Sequence, residues 1–362
     1  MTLAIYGLGT AVPSHSMSQP EATDLTQQVC CQSDDQARIV GALFRRAGVQ
    51  NRHTVLPHQV LLGWNDATVD AGVSQRIGTR GLTTQERMQI YANHAPLLAA
   101  RAADEALQRS ELAAREITHL ITVSCTGFIA PGVDVDIIRQ LGLAPTVERT
   151  HVGFMGCHGA INGLRVARAL AAADERSRLL LCAVELCSIH FCTYWAPERL
   201  VGNAVFADGA AAIVGGAPQS ENDWQVTAFG SCLLPDSTDA MTWAIGDHGF
   251  DVSLSPKVPD LIRAHLRDWF VGWLAQHRLS LADIKSWAIH PGGPRILNAA
   301  EESLGLPREA TAVSREVLAQ FGNMSSPTVL FIVDRLRRRE AQRPCVALGF
   351  GPGLVAEAAL FL

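Results

Sequence analysis

An apolar run closing on a small-residue turn occurs twice in the chain, and each copy keeps a fixed spacing to the elements after it. The first is REITHLITVSCTG from Arg115 and the second is LADIKSWAIHPGG from Leu281, so Ile117 aligns with Ile284 at an offset of 167. GCHGAINGLRVARAL around Cys157 then aligns with GNMSSPTVLFIVDRL around Asn323 at an offset of 166, each a glycine, a polar residue and a helical stretch. RLLLCAVE and PCVALGFG come next, with Leu180 opposite Val346, again at 166. Any one match is weak. Three that hold register to within one residue over about sixty positions point to a duplicated α/β unit. The halves are expected at 1–217 and 218–362, joined near the polar segment APQSENDW (Ala217–Trp224).

Within each half the elements alternate. Met88–Arg109 is rich in Ala and Leu and reads as a helix, followed by a strand from Ile117 to Val123. Val258–His277 reads as a helix, followed by a strand from Ile284 to Ile289. Alternating helices and buried strands imply sheets covered by helices on both faces. Two such halves related by a pseudo-twofold give a layered αβαβα sandwich. That symmetry makes the Cys157 turn and the Asn323 turn equivalent. It would bring them, with His290 at its strand end, to one shared end of the sheets.

Composition narrows the function. The 362 residues are 48% hydrophobic and 18% charged, which is globular, with a net charge of −5 and no basic stripe to fit nucleic acid. The cluster Arg335, Arg337, Arg338 and Arg339 reads as a helix end, where cations suit the dipole. The N-terminus lacks the basic and apolar regions of a signal peptide, and no apolar run reaches the length of a membrane span. Nine scattered cysteines suit reduced, buried thiols and a cytoplasmic setting. Cys187, His190 and Cys192 are close together, but no second pair completes a zinc spacing, so no metal is expected.

Three residues carry the chemistry. Cys157 stands between a strand and a helix, flanked by Gly156 and Gly159, where a helix N-terminus favours thiolate; the plainer alternative is a small buried cysteine. His290 precedes Pro-Gly-Gly, which stops a helix, so its imidazole projects from a strand end; a satisfied core histidine is the alternative. Asn323, alone, reads as a helix cap. Together they suit one reaction class. Cys157 holds an acyl group from a thioester. His290 and Asn323 donate to the enolate oxygen formed when a second thioester loses carbon dioxide. GFGPGL (Gly349–Leu354) has no helix after it, and GLGTAV near Gly7 fails the dinucleotide pattern, so neither supports a nucleotide cofactor.

The segments GFMGCHGA, HPGGPRIL, GNMSS and GFGPG, in family order along nearly the whole chain, resemble the signatures of type III polyketide synthases, the chalcone synthase-like enzymes. VSCTGFIAPGVD (Val123–Asp134) and NAVFADGAAA (Asn203–Ala212) match further family blocks. The resemblance implies a thiolase fold and a homodimer. It implies an acyl-CoA starter on Cys157, malonyl-CoA as extender and cyclisation in the same cavity, with no cofactor. An alkylpyrone, alkylresorcinol or related aromatic polyketide is the expected product. His290 and Asn323 take the roles given above. Phe206 matches an aromatic gatekeeper, and Cys125 and Thr126 match pocket positions. Gly349, Gly351, Pro352 and Gly353 are expected to shape the pocket, and Arg45, Arg46 and Arg52 to meet the CoA phosphates.

The chain departs from plant members where they carry a second gatekeeper phenylalanine. Val252 aligns there, with Phe250 two residues earlier. Cys187–Leu200 is also shorter than its plant counterpart. Two other readings use the same fold. One is a β-ketoacyl-carrier-protein synthase of the initiating type, which usually follows its histidine with Gln-Ala-Asn rather than Pro-Gly-Gly. The other is a non-catalytic partner subunit, which is expected to lack at least one of the three polar groups.

Overall fold

The computed structural model describes residues 2–57, 60, 81–220 and 222–362. Nine strands form one sheet in the order Ser286–Ile289, Cys345–Gly351, Val355–Phe361, Trp224–Leu233, Leu3–Ala11, Asp208–Gly216, Arg178–Leu186, His119–Ser124 and Glu148–Gly153. The duplication is visible in this order. His119–Ser124 runs parallel to Arg178–Leu186, which pairs antiparallel with Asp208–Gly216. Ser286–Ile289, Cys345–Gly351 and Val355–Phe361 repeat that pattern. The half-sheets meet where Leu3–Ile5 pairs with Trp224–Val226. The halves are not identical. The first adds the edge strand Glu148–Gly153, whereas the second carries the helix Ala312–Phe321 at the corresponding offset.

Five layers result. Helices Gly159–Ala173 and Pro327–Arg338, the two repeat-related ones, share one apolar core with strands of both half-sheets. Helices Thr84–Ser110 and Val133–Leu141 cover the outer face of the first half-sheet. Helices Val258–Gln276 and Pro294–Leu304 cover that of the second. The expected sandwich is thus present. A further cluster joins helices Gln19–Cys30, Asp34–Arg45 and Pro197–Val205 beside it.

The sequence explains the long outer helix. Thr83 caps it, with Glu86 completing a capping box, so the first exposed N–H groups have partners. Its inner face presents Ala102, Ala103 and Ala106, all fully buried, so the backbone approaches the sheet closely. Gly7 and Gly9 complete that contact from the strand. A Cβ on Gly9 would lie 2.2 Å from the carbonyl oxygen of Ala102, and one on Gly7 would lie 2.1 Å from that of Ala106. Both partners are backbone and cannot swing away. Gly9→Ala is therefore expected to lower stability by about 2 kcal/mol, read as an earlier midpoint in urea unfolding. An unchanged midpoint would contradict this packing.

Candidate active site

Cys157 sits in a short 3-10 turn, Gly156–His158, immediately before helix Gly159–Ala173. Gly156 has φ 72°, and a Cβ there would lie 2.4 Å from Pro352 Cδ. Only glycine fits both conditions. The GFGPG segment thus packs directly on the Cys157 turn. A Cβ on Gly351 would strike the His158 ring at 2.4 Å, and one on Gly349 would lie 3.2 Å from His158 Cβ. Gly353 turns the chain with φ 75°. This refines the expectation for this segment. Phe350 and Pro352 line the cavity, whereas Gly349 and Gly351 stand behind it and set its wall by close packing.

His290 ends its strand, its N–H donating to the Leu348 carbonyl at 2.8 Å. Asn323 precedes helix Pro327–Arg338 and is clamped by its own backbone. Its N–H donates to the Val205 carbonyl at 2.8 Å, and its carbonyl accepts from Ala207 N–H at 2.9 Å. The Asn323 side-chain oxygen accepts from Ser325 N–H at 2.8 Å, while its amide reaches the Cys157 thiol. Cys157, His290 and Asn323 line one cavity of about 540 Å³ together with Cys125, Thr126 and Phe206. His290 is only 1% exposed, yet neither ring nitrogen has a hydrogen-bond partner among the described residues. An unpartnered buried imidazole is costly for a fold and useful only if a ligand satisfies it.

Burial governs the charge state. It pushes the Cys157 thiol up to about 11, against donation from Ser325 and Asn323. It pushes His290 down to about 3, helped by His158. Burial therefore opposes the expected thiolate. Cys157 lies in the turn before the helix, and desolvation outweighs the dipole there. Burial favours the neutral form of each, and a neutral imidazole is the form of histidine able to accept a proton.

Ser325 and Glu185 went unnoticed in the sequence. Ser325 Oγ lies 3.6 Å from Cys157 Sγ and 3.4 Å from Cys125 Sγ. Glu185 is fully buried and accepts from Cys125 N–H at 2.9 Å, Thr126 N–H at 3.0 Å and Thr126 Oγ at 2.7 Å. It also accepts from Ser326 Oγ at 2.7 Å, across the half boundary. One carboxylate thus fixes the Cys125–Thr126 loop relative to the Asn323 turn. Adjacency to Asn323 in GNMSS was the available signal for Ser325; a Glu inside an apolar strand was that for Glu185.

The remaining candidates separate cleanly. Val252 lines the cavity at the second gatekeeper position, and Phe250 is buried behind it. Arg46 is exposed at the cavity mouth, and Arg45 is exposed but not part of the lining. Arg52 is a correction. It is buried, and its guanidinium is spent on the carbonyls of Asn203, Ala204 and Phe206 and on Gln19 Oε1. It clamps the segment Asn203–Phe206 and has no face for a CoA phosphate. Arg295, which sequence reasoning missed, stands at the mouth instead. His190 donates from Nε2 to the Thr126 carbonyl at 2.7 Å and accepts at Nδ1 from Phe250 N–H at 2.9 Å. Among the described residues no cluster of three or more His, Cys, Asp or Glu is placed to hold a metal.

The layered sandwich, with its polar groups gathered where the two halves meet, is a thiolase-like fold. Comparisons carry this further. The pattern for chalcone and stilbene synthases, N-terminal domain, matches residues 2–218, and that for the C-terminal domain matches residues 225–362. The chain therefore belongs to the chalcone and stilbene synthase family, the type III polyketide synthases, which are acyltransferases. It is 32% identical to Alpha-pyrone synthesis polyketide synthase-like Pks18 of Mycobacterium tuberculosis, over 99% of this chain and 90% of that protein. It is 32% identical to 1,3,6,8-tetrahydroxynaphthalene synthase of Streptomyces peucetius, over 98% and 91%. Among solved structures, PKS-I of the brown alga Ectocarpus siliculosus superposes with a TM-score of 0.89 at 29% identity, covering 99% of this chain and 98% of that one. The carrier-protein synthase reading is not favoured by these matches.

The two neutral buried histidines predict a pH dependence. His190 and His290 are both pushed down to about 3 from an ordinary value near 6.5. The unfolded chain binds their protons first, so stability is intact above about pH 6.5 and falls as pH drops toward 3. At pH 4.5 each histidine is expected to cost about 2–3 kcal/mol. Urea unfolding between pH 7 and 4.5 should show that loss, with a shallower slope in His290→Asn. Equal slopes in the two proteins would contradict a neutral resting His290.

Proposed function

We propose that the chain loads an acyl-CoA starter on Cys157, extends it with malonyl-CoA and cyclises the product, without a cofactor. The observation that carries this reading is the convergence of a thiol, an unpartnered neutral imidazole and a primary amide on one cavity. In loading, Cys157 Sγ bonds to the thioester carbonyl carbon as the C–S bond to CoA breaks. The thiol proton passes to His290 and on to the departing CoA sulfur. In extension, the C–C bond to the malonyl carboxylate breaks and carbon dioxide leaves. His290 N–H and the Asn323 amide hold the enolate oxygen. The enolate carbon then attacks the Cys157 thioester, forming the C–C bond and releasing Sγ.

A mainly apolar cavity of this size suits a starter and the chain grown on it. The names of the two bacterial relatives favour an alkylpyrone or an aromatic product. Arg46 and Arg295 at the mouth are the side chains we assign to the CoA phosphates. A homodimer belongs to the same reading. The exposed edge strand Glu148–Gly153, with exposed Phe128 and Ile245, supports it. A division into halves at 217/218 also belongs to the reading, where the chain passes from one half-sheet to the other. The described residues contain no helix long and apolar enough to cross a membrane, and the nine unpaired cysteines favour a cytoplasmic setting.

The division of labour predicts a split between two substitutions. Cys157→Ala should abolish polyketide formation while malonyl-CoA decarboxylation persists. His290→Ala should reduce decarboxylation by roughly a hundredfold or more, the cost of one oxyanion donor. Carbon dioxide release and product formation, measured in parallel, check this. Near-normal product from either variant would sink the assignment.

A further inference from the structure

A second buried histidine, unused by the chemistry above, stands beside the site. His158 follows Cys157 in its turn, and its ring lies under the GFGPG segment, where a Cβ on Gly351 would be 2.5 Å from Nε2. Its Nδ1 is 2.7 Å from Asn162 Oδ1, which can only accept, so Nδ1 carries the proton. Asn162 is held in that orientation because its amide donates to Glu357 Oε1 at 3.2 Å. Glu357 in turn accepts from Ser231 Oγ at 2.8 Å and pairs with Arg165, whose side chain reaches the surface. His158 Nε2 is therefore a lone-pair acceptor, buried and without a hydrogen-bond partner among the described residues. Strand register puts His290 on the same sheet face. Ile289 pairs with Leu348, and His290 N–H donates to the Leu348 carbonyl, which sets His290 alongside Gly349. A Cβ on Gly349 would meet His158 Cβ at 3.2 Å. Alternation agrees: Ala288 and Ala347 face the middle core, Ile289 and Leu348 the outer one, so His290 and Gly349 turn back toward the helix that follows His158.

We propose that His158 is a positioning residue for His290: its Nε2 accepts, through one bridging water, from one ring N–H of His290 and leaves the other ring nitrogen for Cys157. The inference rests on the reading above, that His290 takes the thiol proton. A buried acceptor and a buried N–H left unpaired are both costly, and one water satisfies both. The Met155 carbonyl oxygen borders the same space, 3.0 Å from the Gly351 Cβ position, and gives that water a third partner. With one N–H so held, neutral His290 presents a lone pair to the thiol. When the S–H bond of Cys157 breaks, its proton goes to that lone pair, and the imidazolium keeps its other N–H on the bridge. No proton passes to His158. The groups facing His158 are Cys157 in its turn, Asn162 and Arg165 on the following helix, Ser231 and Glu357 from the sheet, and His290. Burial pushes His158 down, so it stays an acceptor near neutral pH, and its repulsion of a charged His290 belongs to lower pH.

The test is the pH dependence of Cys157 alkylation by iodoacetamide in the whole chain, followed on the peptide that contains Cys157. His290→Ala comes first. If it leaves the midpoint unchanged, His290 does not take the thiol proton, and the underlying reading fails together with this one. If it raises the midpoint, that reading stands, and the His158 variants test the inference alone. His158→Phe refills the space with a ring and is expected to raise the midpoint by about one pH unit, a tenfold loss of rate near neutral pH. His158→Gln places a neutral amide oxygen near the Nε2 position and should recover most of that loss. Asn162→Leu keeps the ring but frees its tautomer and should give a smaller rise, a check that holds even if a His158 variant folds poorly. In a His290→Ala background, His158→Phe should have no effect. An unchanged midpoint in folded His158→Phe or in Asn162→Leu, a loss that His158→Gln does not recover, or an equal shift with and without His290 would overturn the proposal.

Discussion

The structure depends on two helices of one repeated unit starting at the same place. Gly159–Ala173 and Pro327–Arg338 share the middle core, and the turns leading into them carry Cys157 and Asn323. Once those helices pack together, the two turns must lie at one end of the sandwich. The contacts that hold them there are polar and specific. Asn323 is stitched by backbone to the segment around Phe206, and Glu185 ties Ser326 to the loop of Cys125 and Thr126. Cys157 and Asn323 are therefore fixed by the fold's own symmetry, which suits the proposed chemistry because it depends on placement.

A dry site has a second consequence. The same burial that fixes the groups removes their charges, leaving Cys157 as a thiol and His290 as an imidazole. A proton moved from one to the other makes an ion pair inside a low-dielectric cavity. There each charge stabilises the other more than it would in water. Wall residues such as Trp243 and Phe206 help keep that space apolar.

Much of the layout was legible in the sequence because it is periodic. The offset of 166 to 167 identified the repeat, and strand–turn–helix alternation placed Cys157, His290 and Asn323 at equivalent ends. Helix Thr84–Ser110 and helix Val258–Gln276 fall where the pattern put them. What was illegible depends on contacts far apart in the chain. Arg52 looks like a surface cation in FRRAGVQNRH, but its acceptors lie about 150 residues away, around Asn203. The GFGPG segment reads as close-packed backbone shaping a cavity, but sequence does not say that the turn it packs against is the one carrying Cys157 and His158. The thiol's environment was illegible for a related reason: a dipole is read locally, whereas desolvation is set by everything that packs around it.

The central claim is that Cys157 carries the growing chain. The direct measurement is mass spectrometry of the intact protein after exposure to an acyl-CoA without malonyl-CoA, followed by peptide mapping. The account predicts a single acyl adduct, located on the peptide containing Cys157, that disappears when malonyl-CoA is added and polyketide is released. An adduct on Cys125, or folded protein that takes up no acyl group from any starter while still making product, would contradict it.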